Sequence, residues 1–420
     1  MLNNKALTRI QALVIIVVLI IAIVGGVFII LQTSKPVRTE IIFGAVIPLT
    51  GTNAFFGPEQ KFIFELAVKQ INDAGGVYVR EYGRSLPIRL ILYDDHSDPT
   101  TTTDLMNKLI EVDKVDVILG QIGGNTGLFT VVAEEAKVPY IGPNYPITED
   151  NQKFKWVFTT FHNQYDEALT FFRWLKEVVD NPQDIRVGII ENPDDHGKAH
   201  AKAGREVAEQ LGFKVVLEEF YPPLTDMKPI VLKLKENKVN VVFGLPIPPD
   251  AINLIKAAKE LNYAPLAWGL TRGTAVSGFG QALGKDSDYV LAIFSWHPSV
   301  NYRWEWGGKT FTVQEHIVKP LKEAGIEPFL AGLYYSEVLL AAKAIEVAGS
   351  LDKEKIRQAL STIDIITPQG HVSFGSNNWN KFTSENMMLF QWKDQRLEIV
   401  WPEKFKTMAA VFPFPPWNQR

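Results

Sequence analysis

The chain has 420 residues, with 43 lysines and arginines against 47 aspartates and glutamates and a formal net charge of −4. Hydrophobic residues make up 46% and charged residues 21%, which is a globular composition and excludes disorder as the dominant state. The slightly acidic balance argues against a nucleic-acid-binding protein, and the lack of cysteine excludes disulfides, thiolate metal sites and cysteine nucleophiles.

The first predicted element is a membrane segment. Residues Ala12–Leu31 form a run of 20 residues without a charge, and a helix of that length spans roughly 30 Å, the hydrocarbon thickness of a bilayer. Lys5 and Arg9 precede the run, which favours an N-terminus inside the cell. We expect an uncleaved anchor with the remaining chain outside the membrane. The alternatives are a cleaved secretory signal and cleavage after Ala6, where the sequence resembles prepilin-like processing sites.

Strands and helices alternate from residue 41 onward. Short apolar runs predict strands, and stretches with one apolar face predict helices. In the first half the predicted strands are Ile41–Ile47, Ile88–Tyr93, Val115–Leu119 and Val138–Ile141, and the predicted helices are Gln60–Ala74, Thr101–Val112 and Thr126–Lys137.

The same order repeats in the second half. The predicted strands there are Arg186–Glu191, Lys214–Phe220, Val239–Phe243 and Pro265–Trp268, and the predicted helices are Gly197–Leu211, Met227–Asn237 and Ala251–Leu261. Helices Phe329–Ala348 and Asp352–Ser361 and strands Gly370–Phe374, Met388–Lys393 and Leu397–Val400 follow. Two sets of alternating strands and helices predict an α/β protein with two doubly wound lobes and parallel sheets.

Ligands of open α/β sheets bind beyond the carboxyl ends of the strands, so the loops at those ends are candidate binding segments. Loop Gly120–Thr126 opens a helix, and its glycines would let backbone N–H groups approach an anion. Loops Gly142–Pro146 and Asn192–Gly197 follow other predicted strands. The Gly120–Thr126 loop carries neither the phosphate-binding nor the dinucleotide-binding glycine motif, and on its own it is also compatible with a plain strand-to-helix turn.

Several short motifs stand in an order that is typical of one family. They are Pro48-Leu49-Thr50-Gly51, Ile71–Gly76, Asp94–Pro99, Val138–Ile141, Trp296-His297-Pro298, Ala348–Asp352, Gly370–Phe374 and Gln391–Pro402. This ordered set, spread over residues 40–420, resembles the type I periplasmic solute-binding proteins of the leucine/isoleucine/valine-binding class, which serve ABC importers.

The resemblance implies two Rossmann-like lobes joined by a three-crossover hinge that closes over a solute. The crossovers would lie near Phe158–Phe161, Ala292–Ser295 and Gly375–Glu385. The implied division is residues 1–36 as the membrane anchor or signal, 40–158 plus 297–375 as lobe 1, 161–293 plus 384–408 as lobe 2, and 409–420 as a C-terminal tail.

The family's ligand contacts transfer to particular positions of this sequence. The implied ligand-binding residues are Phe56, Gly123, Gly124, Asn125, Thr126, Asn144, Tyr145, His196 and Thr271, to which we add Trp296 as a candidate aromatic wall. The acidic residue that usually meets the solute ammonium is replaced near Thr271, with Arg272 beside it. Because a buried ammonium without a carboxylate partner is costly, an acidic, aromatic or amide solute becomes plausible. The predicted solute is an amino acid or a related small carboxylate or amide.

The sequence therefore predicts an extracytoplasmic, membrane-anchored solute-binding protein, with a small-molecule solute and ABC permease subunits as partners. It predicts no cofactor, no bound metal, no nucleic-acid partner and no enzymatic activity. His196 and His200 at a helix start could also suggest a metal site, but pocket lining or a solvated helix start is the favoured interpretation. A sensor ectodomain of the same fold and a surface hydrolase with an unrecognised site are the alternative functions.

Overall fold

The structure of the protein is a computed structural model that describes residues 38–121, 126–143 and 153–420. Residues 41–420 form one compact unit. The predicted membrane anchor Ala12–Leu31 lies outside the described residues. Within the three described ranges, no helix is both long enough and apolar enough to span a bilayer.

The strands overlap the predicted apolar runs, but four of them begin two residues later than predicted, at Val117, Tyr140, Val241 and Ala267, and several strands are additions. In chain order they are β1 Ile41–Ile47, β2 Val77–Val79, β3 Arg84–Leu86, β4 Ile88–Asp94, β5 Val117–Leu119, β6 Tyr140–Gly142, β7 Val157–Thr159, β8 Arg186–Glu191, β9 Lys214–Phe220, β10 Val241–Gly244, β11 Ala267–Thr271, β12 Leu291–Phe294, β13 Arg303–Trp306, β14 Lys309–Thr312, β15 Asp364–Thr367, β16 Gly370–Ser373, β17 Met388–Lys393 and β18 Arg396–Trp401.

The helices connect these strands and cover the faces of the sheets. They are α1 Gly57–Asp73, α2 Pro99–Glu111, α3 Thr126–Ala136, α4 Gln164–Val178, α5 Asp195–Gln210, α6 Lys228–Glu236, α7 Pro248–Glu260, α8 Ser277–Leu283, α9 Lys319–Glu323, α10 Ala331–Ala348, α11 Lys353–Leu360 and α12 Thr383–Asn386.

The described residues form two large sheets with the same winding order. The five-stranded sheet has the order β4-β1-β5-β6-β7, with all its strands parallel. The seven-stranded sheet has the order β18-β17-β12-β11-β10-β8-β9, in which β8 to β12 are parallel and β17 and β18 are antiparallel additions. In both sheets the second parallel strand of the chain lies outside the first, and the later strands follow on the other side. This is the doubly wound arrangement, as the sequence predicts.

Side chains that alternate along β1 explain why helices cover both faces of its sheet. Ile41, Phe43, Ala45 and Ile47 belong to one hydrophobic core, whereas Ile42 and Val46 belong to another. Alternate strand residues point to opposite faces, so a strand that is apolar at every position needs cover on both sides. A continuous apolar strand of this kind is typical of a parallel sheet enclosed by helices.

The chain passes between the two large sheets at three places. It leaves the five-stranded sheet after β7, returns after β12 to pack α10 against α1, β5 and β6, and crosses again before β17. The first and third crossings lie side by side, because the N–H of Thr159 donates to the carbonyl of Asn378 at 2.9 Å and the N–H of Asn380 donates to the carbonyl of Thr159 at 2.9 Å.

Some elements were not predicted. The segments near Phe158 and Ala292 contain the last parallel strand of each sheet, β7 and β12, where the sequence predicts only crossovers. Helix α4 was also missed, although a capping box starts it: Asn163 accepts the N–H groups of Tyr165 and Asp166, and the Asp166 carboxylate accepts the N–H of Asn163. The hairpins β2–β3 and β13–β14 are further additions.

Candidate functional site

A cavity that opens to solvent lies at the carboxyl ends of strands from both large sheets. On the side of the five-stranded sheet it is lined by Phe56 and Thr126, which follow β1 and β5, and by Phe329 and Leu330, which precede α10. This is the edge at which doubly wound sheets bind ligands.

On the side of the seven-stranded sheet, the lining residues lie at the ends of three parallel strands or in the segments that follow those ends. His196 lies in the first turn of α5, Leu245 and Pro248 follow β10, and Thr271 and Arg272 lie at the end of β11. The crossing segments complete the cavity with Phe161, His162 and Phe294. Residues from both sheets and from the crossings therefore surround one space.

The loop that carries Phe56 is held by the end of β4. Asp94 Oδ1 accepts the N–H of Leu49 at 3.0 Å, and Asp94 Oδ2 accepts the Thr50 hydroxyl at 2.8 Å. Gly51 has φ +86°, and a Cβ at this position would lie 2.2 Å from the carbonyl oxygen of His96. A glycine is therefore required for the turn that brings Phe56 to the cavity.

Phenyl rings form the apolar part of the cavity wall. The rings of Phe294 and Phe329 are stacked with centroids 5.0 Å apart, and the ring of Phe161 meets Phe294 edge-on at 5.9 Å. Phe161 and Phe294 are buried, whereas Phe56 and Phe329 are half-buried. Such rings bind a flat or branched apolar body without specifying its polar groups.

A buried carboxylate, Glu167 in the first turn of α4, connects several segments below this wall. Its Oε1 lies 3.1 Å from Nε2 of His162 and accepts the Thr271 hydroxyl at 3.0 Å, and its Oε2 lies 3.3 Å from Nε2 of His200. His162 reaches Ser295 on the second crossing, with 2.8 Å between Nδ1 and Oγ. Burial alone would raise the pKa of Glu167, but the hydrogen bonds and charges of both histidines hold that pKa well below its usual range.

His200 lies between two carboxylates. Its Nδ1 is 2.5 Å from Oε1 of Glu191 on β8, its Nε2 faces Glu167, and its ring stacks on Phe243 with centroids 4.6 Å apart. Burial opposes the charged imidazolium, but the two carboxylates outweigh burial and raise the pKa of His200 to about 10. His200 is therefore positively charged at neutral pH, and its charge is matched by buried acids.

His196 differs from His200 although the two are one helical turn apart. Burial lowers the pKa of His196 to about 3, and the nearby cations Arg272 and His200 act in the same direction. Its imidazole is uncharged at neutral pH, so it can donate one hydrogen bond and accept one.

Arg272 has an unusual backbone, and its side chain forms no ion pair with a carboxylate of the described residues. Its φ is +53°, in the left-handed region that non-glycine residues rarely adopt. Burial lowers the pKa of its guanidinium, while Asp194, Glu167 and Glu191 oppose that effect. Among the residues that the structure describes, no carboxylate forms an ion pair with this guanidinium. A strained backbone that holds a cation against a cavity is a feature of functional sites.

The structure places four of the predicted binding residues in this cavity: Phe56, Thr126, His196 and Thr271. Gly123, Gly124, Asn125, Asn144 and Tyr145 lie outside the described residues. Thr271 contributes a hydroxyl that already bonds Glu167.

Trp296 lies elsewhere. It lines an adjoining cavity that shares Phe294 and Phe329 with the first one. It is 2% exposed, and its indole N–H donates to the carbonyl of Pro368 at 3.1 Å. A Cβ on Gly332 would come within 2.0 Å of the indole, so the ring packs on the backbone of α10. Trp296 therefore does not line the first cavity, although the two cavities share Phe294 and Phe329.

No sequence pattern singles out His162, Glu167 or Glu191, and Arg272 is notable in the sequence only as the neighbour of Thr271. The capping box at Asn163 was the available signal, because it starts a helix directly after the first crossing and puts Glu167 in its first turn. The alternative of a metal site at His196 and His200 has no support in the described ranges, where no group of three or more acidic or histidine side chains could hold an ion.

Comparisons with known proteins give one consistent result. A family model described as periplasmic binding protein matches residues 40–396. The chain is 26% identical over 380 residues to the Leu/Ile/Val-binding protein homolog 8 of Brucella abortus (strain 2308), which covers 87% of this chain and 91% of that protein.

Solved structures agree at the level of the fold. The branched-chain amino acid transporter substrate-binding protein LivJ of Streptococcus pneumoniae, determined in complex with isoleucine, has a TM-score of 0.72 and 18% identity over 86% of this chain and 100% of its own. The leucine-binding protein LivK of Thermotoga maritima has a TM-score of 0.70 and 16% identity over 86% of this chain and 97% of its own.

Proposed function

Since this chain belongs to the periplasmic binding protein family, we propose that it is the extracytoplasmic solute-binding component of an ABC importer. It captures an amino acid or a related small carboxylate or amide in the cavity between the two sheets, and no bond is broken. Its fold is the type I α/β fold of periplasmic binding proteins.

One observation carries the proposal: the cavity has walls from both large sheets, and the chain passes between those sheets at three places. A solute held by both walls stabilises the closed arrangement, because it makes more contacts there than in an open one. Bending at the three crossings would then open and close the cavity. ABC permease subunits that recognise the closed form are the proposed partners.

We also propose the lobe division and the ligand contacts that the sequence implies, apart from Trp296, which lines the adjoining cavity. The lobes are residues 40–158 plus 297–375 and 161–293 plus 384–408, with 409–420 as a tail. The proposed contacts are Phe56, Thr126, His196 and Thr271 together with the loop residues Gly123, Gly124, Asn125, Asn144 and Tyr145. The apolar segment Ala12–Leu31 anchors the protein to the membrane, with the solute-binding part at the cell surface.

The test is solute binding by the full chain after co-purified ligand has been removed by unfolding and refolding. A panel of amino acids, carboxylates, amides and sugars is screened by thermal shift and confirmed by calorimetry. A solute at 100 times its Kd stabilises the native state by about 2.7 kcal/mol. We expect saturation with one solute per chain, a smaller radius of gyration in X-ray scattering with the solute present, and no product.

Two results would overturn the proposal. Catalytic conversion of a bound compound would favour the hydrolase alternative. Binding without any change in the scattering curve would contradict closure by movement at the crossings. Mass spectrometry of the solute released from the protein serves as the control for turnover, because a bound but unreacted solute keeps its mass.

A further inference from the structure

Arg272 is a cation of the cavity with which no acid among the described residues forms an ion pair. It lies directly after β11, at the carboxyl edge of the seven-stranded sheet, where its half-buried side chain lines the cavity. Its φ of +53° shows that the fold tolerates backbone strain to hold this residue there. A guanidinium presents parallel N–H donors that match the two oxygens of a carboxylate.

The acids closest to Arg272 are engaged with other groups. Glu167 bonds His162 and Thr271 and faces His200, and Glu191 bonds the other nitrogen of His200. Asp194 accepts the N–H of Gly197 at 2.7 Å and caps α5. These acids act on the guanidinium through space, and none of them forms an ion pair with it.

The described wall provides no comparable partner for an ammonium group. Glu167 is the carboxylate that lines the cavity, and a bound ammonium would have to displace its contacts with His162, Thr271 or His200. His196, which carries no charge at neutral pH, cannot replace a carboxylate. Burying an ammonium without a free acidic partner is costly, whereas a carboxylate next to Arg272 gains a charge-assisted pair.

The rest of the wall fits an apolar body. Phe56, Phe161, Phe294 and Phe329 surround the space with phenyl rings, and Leu245 and Leu330 add aliphatic surface. We infer that Arg272 binds the carboxylate of the solute, and that the cavity selects a monocarboxylate with a compact branched or aromatic body and no ammonium group. This inference rests on the proposed function and narrows its solute class.

The test compares probes that share one apolar body and differ only in their charged groups. The first set is 4-methylpentanoate, leucine and isopentylamine, and the second is 3-phenylpropanoate, phenylalanine and phenethylamine. Affinities for the refolded full chain are measured by calorimetry at pH 7. We expect at least one of the two carboxylates to bind at least tenfold more tightly than the matching amino acid, and neither amine to bind.

Variants of Arg272 test whether this residue binds the carboxylate of the solute. Removing one partner of a buried charge pair costs a few kcal/mol in general, so Arg272→Met should weaken carboxylate binding by about 100-fold. Arg272→Lys keeps the charge but loses the paired donors, and should weaken it by about tenfold. Arg303→Met, at an exposed position on β13, is the matched control and should leave the affinity unchanged. Circular dichroism and the Tm of each variant check its folding.

Each outcome decides the inference. Tight binding of leucine or phenylalanine, equal to that of the matching carboxylate, overturns the inference and assigns the ammonium to Glu167, while the proposed function stands. An affinity that Arg272→Met leaves unchanged in a folded variant also overturns it. If neither carboxylate binds, the inference fails, and the proposed function fails with it only if the wider panel of amino acids, amides and sugars is also silent.

Discussion

The wall that the five-stranded sheet contributes to the cavity is mainly apolar, whereas the wall from the seven-stranded sheet carries the ionisable groups. Among the described residues, Phe56, Phe329 and Leu330 belong to the first wall, and His196 and Arg272 belong to the second. The two sheets nevertheless share one winding order. The topology therefore determines where the walls meet, and the residues at individual strand ends determine what each wall can recognise.

This contrast extends below the surface of the second wall. Glu167, Glu191 and His200 form a buried charged cluster that ties α4, β8 and α5 together, with Thr271 of β11 attached to it. The first wall is held mainly by packing and by the Asp94 loop contacts. The stability of the second wall should therefore depend on pH and on its charged side chains. The stability of the first wall should depend on its buried apolar area.

The largest expected effect is on the pH dependence of unfolding. Because the pKa of His200 is raised to about 10 in the folded state, its charged form stabilises the protein fully below pH 6.5 and is lost as the pH rises through 10. Each pKa unit corresponds to about 1.4 kcal/mol, so this group should lower the free energy of unfolding by about 5 kcal/mol between pH 6.5 and 10. Denaturant titrations across this range measure the loss.

The variant His200→Gln isolates that contribution. It lacks the titrating group, so its free energy of unfolding should be lower at pH 6.5 and should change less between pH 6.5 and 10. A variant curve as steep as that of the unmodified chain would assign the pH dependence to other groups. Glu59 overlaps only the lower end of this range, because its pKa is raised to about 7, mainly by burial, and its contribution changes mostly between pH 4.5 and 7. Glu59 is present in both chains, so its contribution cancels in the comparison.

The next effect is the loss of the central carboxylate. Glu167→Gln leaves His200 and His162 with one acidic partner fewer in a buried site, and removing one member of a buried pair typically costs about 3 kcal/mol or more. Glu65→Gln is the control, because Glu65 forms an exposed pair with Lys61 at 3.6 Å that is worth about 1 kcal/mol or less. Equal denaturation midpoints for the two variants would show that the buried cluster does not hold the second wall.

The smallest effect concerns the apolar wall. Phe56→Ala removes part of the apolar surface around the solute, so we expect about tenfold weaker binding, or about 1.4 kcal/mol, for every solute with the same apolar body. Arg272→Met should instead distinguish carboxylates from other solutes. Phe220→Ala, at an exposed ring at the end of β9, is the control for calorimetry. If the loss of affinity in Phe56→Ala depended on the charged group of the solute, the two walls would not have separate roles in recognition.

Much of the fold could be predicted because its signals are local. The apolar runs of β1 and β17 match the predicted strands residue for residue, and the helix ending at Ala348 is followed by Gly349 at φ +61°. The hairpin turn at Asp394-Gln395 has φ +49° and +59° at its two central residues, as a tight hairpin requires. Phe56 and His196 could be selected as cavity residues because the family resemblance implies ligand contacts at these positions, in loops that follow predicted strands whose carboxyl ends meet at one edge.

The charges of the second wall could not be predicted in the same way. His162, Glu167 and His200 lie on different elements, and the bond from His162 to Ser295 joins residues 133 positions apart. A sequence pattern shows which residue types are present at a strand end or a helix start, but burial and partners set their charge. His196 and His200 illustrate this, since neighbouring turns of one helix hold an uncharged and a charged imidazole.

The sequence by itself determined the alternation of strands and helices, the winding of the two sheets and the strand ends that face the cavity. These depend on periodicity, turn residues and the right-handed connection of parallel strands, all of which act over short stretches of chain. Only the tertiary structure decided that Trp296 packs on α10 and lines an adjoining cavity, and that the described acids around Arg272 bond other groups. The physical reason is that a charge or a ring acquires its role from neighbours that are distant in sequence.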